Sequence, residues 1–152
     1  MINKVLIVYY SLGGNTEVVA SHIKDSLQVN GREITSLSLN RKTDLSELNI
    51  EKYDLVFLGS PTYNRGNTPK IVLDFLRYII KNNEFSLPSF AVFGTGDTQW
   101  GSNLYCRAVD EMEYHLNKKT KVVNTLKIEQ RPMSNHQINK IHSFVEETIG
   151  RF

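Results

Sequence analysis

Two hydrophobic periods alternate along the chain. Lys4–Tyr9 (KVLIVY) is a continuous apolar run of strand length, as expected of a strand buried on both faces. From Thr16 to Gln28 the residues Val19, Ile23 and Leu27 recur at helical spacing, and the stripe stops short of Gly31. Glu33–Leu39 alternates less cleanly through Ile34, Ser36, Leu37 and Leu39 and predicts a partly exposed strand. Asn40–Glu51 is polar, with room for one helical turn at Asp44–Leu48, and Asp54–Gly59 (DLVFLG) repeats the buried-strand pattern. Thr68-Pro69 predicts a helix start, with Thr as N-cap and Pro at the first helical position, ahead of the stripe Val72, Phe75, Leu76, Ile79. Ser89–Gly94 (SFAVFG) reads as a strand, and Asn103–Leu116 as a helix with Tyr105, Ala108, Val109, Met112 and Leu116 inward. Lys121–Ile128 reads as a strand. Ser134-x-x-Gln137 is a capping box that opens a last helix carrying Ile138, Ile141, Val145 and Ile149.

Strands and helices thus alternate from end to end, and right-handed crossovers turn such a chain into a parallel sheet with helices on both faces. No repeat, low-complexity segment or linker interrupts the pattern, so residues 1–152 are expected to form one domain. Composition narrows the class. With 40% apolar residues and a net charge of only +2, the chain is no disordered tail. The slight basic excess is spread along it, which argues against a nucleic-acid binder. No apolar run approaches the ~20 residues of a membrane helix, and a strand begins too early to leave room for a signal peptide. A single Cys suits a reducing compartment. The expectation is a soluble, cytoplasmic domain.

Ligands of doubly wound sheets bind beyond the carboxyl ends of the strands, and the loops after the first, third and fourth strands are compositionally unusual. The first, Tyr10-Ser11-Leu12-Gly13-Gly14-Asn15-Thr16, joins a buried strand to a helix N-terminus. Exposed amides and the helix dipole favour an anion there, and Ser11 and Thr16 add hydroxyl donors. The loop has neither the lysine of a triphosphate-binding loop nor the G-x-G-x-x-G spacing of a dinucleotide fold, so a phosphate monoester fits better. The second loop, Gly59–Thr68, carries Pro61, Thr62, Tyr63, Asn64, Arg65 and Gly66. Tyr63 is placed to stack on a planar ring, and Asn64 tolerates a positive φ that would let its peptide reorient. The third, Gly94-Thr95-Gly96-Asp97-Thr98-Gln99-Trp100-Gly101, offers glycine backbone for close approach to a flat ligand and the only Trp of the chain.

Together these loops resemble those of the flavodoxin family. Ser11-x-Gly13-Gly14-Asn15-Thr16 is similar to its [ST]-x-T-G-N-T phosphate signature, Gly59-Ser60-Pro61-Thr62-Tyr63 to its second loop, and Gly94-Thr95-Gly96-Asp97 through Tyr105-Cys106-x-Ala108-x-Asp110 to its third loop and following helix. The resemblance spans nearly the whole chain. It implies a flavodoxin-like five-stranded parallel sheet of order 2-1-3-4-5, short-chain form, in an α/β fold. It further implies bound FMN, with Ser11, Leu12, Gly13, Gly14, Asn15 and Thr16 around the phosphate, Tyr63 and Trp100 flanking the ring, Asn64, Gly96 and Asp97 bonding its edge through backbone groups, and Pro61, Thr62, Arg65, Gly66 and Thr95 also among the cofactor-binding residues. The implied role is one-electron transfer, as a monomer, between a reductase and an acceptor protein.

Three departures stand out: Gly13 replaces the usual Thr, Asn64-Arg65 stands where many flavodoxins have Gly-Asp, and the charge is slightly positive instead of strongly acidic. Trp100-Gly101 and the segment after Glu129-Gln130-Arg131-Pro132 are similar to the flavodoxin-like activator of class Ib manganese ribonucleotide reductase, the alternative role. A small FMN-dependent quinone reductase is a third, for which the short loops leave little material. Cys106 is expected to be a packed small hydrophobe, and His22, His115, His136 and His142 lie at no metal-ligand spacing. Lys118-Lys119-Thr120-Lys121 is expected to be the solvated end of a helix.

Overall fold

The computed structural model describes residues 2–29, 31–82, 86–97, 101, 103–129 and 134–152. Its elements run β1 (Lys4–Tyr9), α1 (Asn15–Gln28), β2 (Glu33–Ser38), β3 (Leu55–Pro61), α2 (Lys70–Lys81), β4 (Ser89–Gly96), α3 (Arg107–Leu116), β5 (Val122–Glu129) and α4 (Asn135–Ile149). The strands form one parallel sheet in the order β2-β1-β3-β4-β5.

Alternation along the central strands divides the core into two layers. Val5, Ile7 and Tyr9 pack with Val19, Ile23 and Leu27 of α1 and Ile141, Phe144 and Val145 of α4. Leu6 and Val8 pack with Val72, Phe75 and Ile79 of α2 and Val109 and Met112 of α3. Phe57 meets Phe144 edge to face, with ring centroids 5.7 Å apart. Each fully buried Leu, Ile or Phe of this kind contributes about 1.5–3 kcal/mol, so the two faces together hold the sheet.

Several boundaries differ from the sequence expectation. β3 and β4 run past Gly59 and Gly94, because Ser60 pairs with Gly94 and Pro61 with Thr95 in register. The second and third loops therefore start as paired strand, and Pro61, Thr95 and Gly96 are strand ends. The polar stretch after β2 holds two 3-10 turns, Leu45–Glu47 and Ile50–Lys52, the first capped by Asp44, which accepts from Ser46 N–H. α2 starts at Lys70, one residue later than expected. Pro69 takes the cap position with extended ψ 140° and without a side-chain cap, and the hydroxyl of Thr68 is buried without a partner among the described residues. α3 starts four residues late. Cys106 stands just before it at φ 49°, ψ 35°, a left-handed conformation that no continuing helix allows. Lys118 and Lys121 are exposed as expected, but Lys119 is half-buried: its ammonium donates to the carbonyls of Ile79 (3.2 Å), Ile80 (3.1 Å) and Asn82, closing the C-terminus of α2. The capping box of α4 forms as expected, with Ser134 Oγ accepting from Gln137 N–H.

Candidate functional site

Register brings the three loops together. Tyr9 pairs with Gly59 across β1 and β3, and Pro61 with Thr95 across β3 and β4, so all three leave the sheet at one end.

In the first loop Gly13 (φ 84°) and Gly14 (φ 94°) are consecutive left-handed residues, and no atom lies within 4 Å of a Cβ built on either. Backbone conformation, not space, requires glycine there, which explains the replacement of the usual Thr by Gly13. Ser11 Oγ accepts from Glu17 N–H at 3.2 Å, leaving its own hydrogen free to donate. The amides of Leu12 to Thr16 donate to no protein acceptor among the described residues, as the first turn of α1 provides none. The result is a run of free N–H groups at a helix N-terminus, chemically suited to an anion such as a phosphate.

Thr16 is fully buried, with its hydroxyl 3.0 Å from that of Thr95. With Thr95 as donor, Thr16 keeps a hydrogen for an anion. Thr62 Oγ1 accepts from Ala108 N–H at 3.0 Å, and Thr62 N–H donates to Thr95 O at 3.2 Å. The hydroxyls of Thr62 and Thr95 thus tie protein segments together.

The second loop closes on itself: Tyr63 N–H donates to Asn67 O (2.8 Å) and Gly66 N–H to Tyr63 O (3.0 Å). This turn needs a positive φ at its third residue, and that residue is Arg65 (φ 66°, ψ 19°), so the left-handed position expected at Asn64 falls one residue later. Arg65 is exposed, while buried Gly66 packs on Leu104 and Arg107. Tyr63 donates its phenol hydrogen to Tyr10 Oη at 3.2 Å, and desolvation together with that bond pushes its pKa up to about 12.

In the third loop the close approach that glycine allows is to the protein itself. A Cβ on Gly96 would stand 2.8 Å from Cys106 N and 3.0 Å from its sulfur. Cys106 is buried as expected: its thiol points at the carbonyls of Gly94 and Ile128, each 3.7 Å away, and burial pushes its pKa up to about 12. Asp97 is half-buried beyond β4. Thr98, Gln99 and Trp100 lie outside the described residues, as do Gln130, Arg131 and Pro132. Among the described residues no three metal-ligating side chains cluster. His22 and His142 do approach each other, with ring centroids 6.3 Å apart between α1 and α4.

Fold and first loop define a doubly wound α/β domain with a run of free amides after β1. The sequence model of the flavodoxin family matches residues 7–144. A probable flavodoxin of Bacillus subtilis is 32% identical over 143 residues, covering 93% of this chain and 87% of that protein. A flavodoxin of Maridesulfovibrio salexigens is 32% identical over 135 residues, 86% of this chain and 88% of that one. The crystal structure of oxidised flavodoxin 2 from Bacillus cereus superposes with a TM-score of 0.85 at 34% identity, covering 98% of this chain and 99% of the other. The chain belongs to the flavodoxin family: it is an FMN-binding electron-transfer protein that acts with redox protein partners. No described helix is long and apolar enough to cross a membrane.

Proposed function

We propose that the chain is a one-electron carrier, a single-domain monomer of the cytoplasm, that shuttles between a reductase and an acceptor enzyme. FMN would be held at the three loops. The observation that carries this reading is the set of unpartnered amides from Leu12 to Thr16, bent by two left-handed glycines at the N-terminus of α1. Those amides, with the free hydrogens of Ser11 and Thr16, take the phosphate.

Tyr63, with its phenol fastened to Tyr10, offers a ring of fixed orientation for stacking, and the family resemblance makes Trp100 the candidate for a second aromatic. Asn64, Arg65, Gly66, Gly96 and Asp97 line the ring edge. Pro61, Thr62 and Thr95 hold the loops in place through the bonds described above. The flavin supplies the electron chemistry, and the protein supplies binding and electrostatics. Arg65 is an exposed cation on the ring side, and a cation within ~6–8 Å favours a negatively charged reduced cofactor by about 1 kcal/mol at a partly screened edge.

Spectroelectrochemistry of the FMN-loaded protein tests the carrier role. Two separate one-electron potentials are expected, the second shifting to lower values in Arg65→Asp. A single two-electron step would contradict a one-electron carrier.

A further inference from the structure

The segments that border the site on its α2 side carry cations only. Arg41 and Lys42 follow β2, Arg65 sits in the second loop, Lys70 opens α2 and Arg107 opens α3, whereas residues 40–43 and 63–70 contain no carboxylate. These cations are held outward by structure. The turn at Asn40 is locked by Asn40 N–H donating to Thr43 Oγ1 (2.9 Å) and Lys42 N–H donating to Asn40 Oδ1 (2.8 Å). Arg65 occupies a left-handed position, a backbone state that non-glycine residues seldom adopt. The Lys70 side chain is 90% exposed. Arg107 reaches Gly66 O at 3.4 Å and so stays beside the loop.

Neighbouring carboxylates offset only part of this charge, five cations standing against Asp44, Glu47 and Asp74. Asp44 is bonded to Ser46, and Asp74 is shared between Lys70 (3.9 Å) and Arg77 (3.4 Å). Glu47 lies in the turn after Asp44, while Glu17 is in the first turn of α1 and Asp97 on the third loop. Between the cations runs a trough made of two adjoining clefts of about 410 and 260 Å³, which share Arg41, Ile71 and Asp74. It opens beside Tyr10 and Tyr63 and is floored by Pro69, Ile71 and Leu45.

We propose that this rim is the docking surface for a redox partner protein whose electron-exchange face is acidic, its carboxylates pairing with Arg41, Lys42, Lys70 and Arg107 while an apolar side chain enters the trough. The proposal rests on the reading that the three loops hold FMN. A cation cluster with an apolar floor next to the exchange site matches an interface with a charged rim and an apolar centre. Charge of one sign at the contact also steers encounter, changing association rates by about 10–1000-fold at low salt.

The test uses the FMN-loaded, reduced protein and two one-electron acceptors of opposite charge, ferricyanide and hexaammineruthenium(III), in stopped flow across a range of ionic strength. Each acceptor ion takes one electron and is reduced at its metal. Arg41→Glu/Lys70→Glu is compared with Lys118→Glu/Lys121→Glu, which changes the net charge equally but lies at the other end of the sheet. The expected result is a loss of about tenfold or more in the ferricyanide rate at low salt for the first variant, and a gain for the ruthenium complex. The second variant should stay within about twofold of the parent, and high salt should erase the difference. Poly-L-glutamate should slow ferricyanide in the parent and not in the first variant. Equal effects of the two variants, or no effect of either, would overturn the docking surface while leaving the flavin reading intact. Stronger inhibition by duplex DNA than by poly-L-glutamate would overturn the choice of a protein partner. A chain that takes up no FMN would overturn both readings.

Discussion

Tyr63 donates its phenol hydrogen to Tyr10 Oη at 3.2 Å, so the aromatic of the second loop is fastened to the residue that opens the first. Burial and this bond favour the neutral phenol, and the Tyr63 pKa stands at about 12 instead of the usual 10. A raised pKa of this kind stabilises the folded state fully below the unfolded value, and the contribution is lost as pH rises through the folded one. Subtracting the ultraviolet titration of Tyr63→Phe from that of the parent should isolate a phenol ionising near pH 12. Tyr10→Phe should move it down toward the ordinary value. Ionisation of Tyr63 near pH 10 in the parent would show that the pair is not formed.

Thr16 and Thr95 make a second link, hydroxyl to hydroxyl at 3.0 Å, and the two have different expected outcomes. Thr16→Ala removes a donor to the phosphate, a charge-assisted bond of about 1.5–3 kcal/mol, as well as the partner of Thr95, and should weaken FMN more than riboflavin. Thr95→Val should lower stability in urea by about 1–3 kcal/mol, because a buried hydroxyl partner is lost, and should weaken both flavins alike. The ratio of the two affinities in each variant decides the assignment. An unchanged ratio in Thr16→Ala would remove Thr16 from the phosphate site.

Gly13→Val puts a β-branched residue at φ 84° with open space around it, so any cost is conformational. A loss of about 1–3 kcal/mol in urea unfolding is expected, with weaker FMN binding as the amide run straightens. Wild-type stability and affinity would mean the loop does not need its left-handed geometry.

Cys106 should resist modification. Its thiol is buried with a pKa near 12, so almost no thiolate forms at pH 8 and a disulfide reagent should react only on unfolding. Fast labelling of the native protein would contradict the burial.

The sheet and its two cores are legible in the sequence because β1, β3 and β4 are continuous apolar runs and the helices carry clean stripes. The strand order comes from the resemblance and the crossover rule, and the sheet has that order. Less legible are the left-handed residues Arg65 and Cys106. Neither residue type announces a positive φ. In Arg65 it is demanded by a turn closed through Tyr63 and Asn67, and in Cys106 by contacts with Gly96 and the cap that Thr62 gives to α3. Local spacing contains none of these tertiary conditions. For the same reason Lys119 reads as solvated although it closes another helix.

The central claim, that the first loop grips a flavin through its phosphate, is tested most directly by titrating the apoprotein with FMN and with riboflavin while following flavin fluorescence. Loss of two or more charge-assisted bonds of about 1.5 kcal/mol each makes riboflavin about a hundredfold weaker or more. The account predicts one FMN per chain and that ratio. Equal affinity for the two flavins would contradict it.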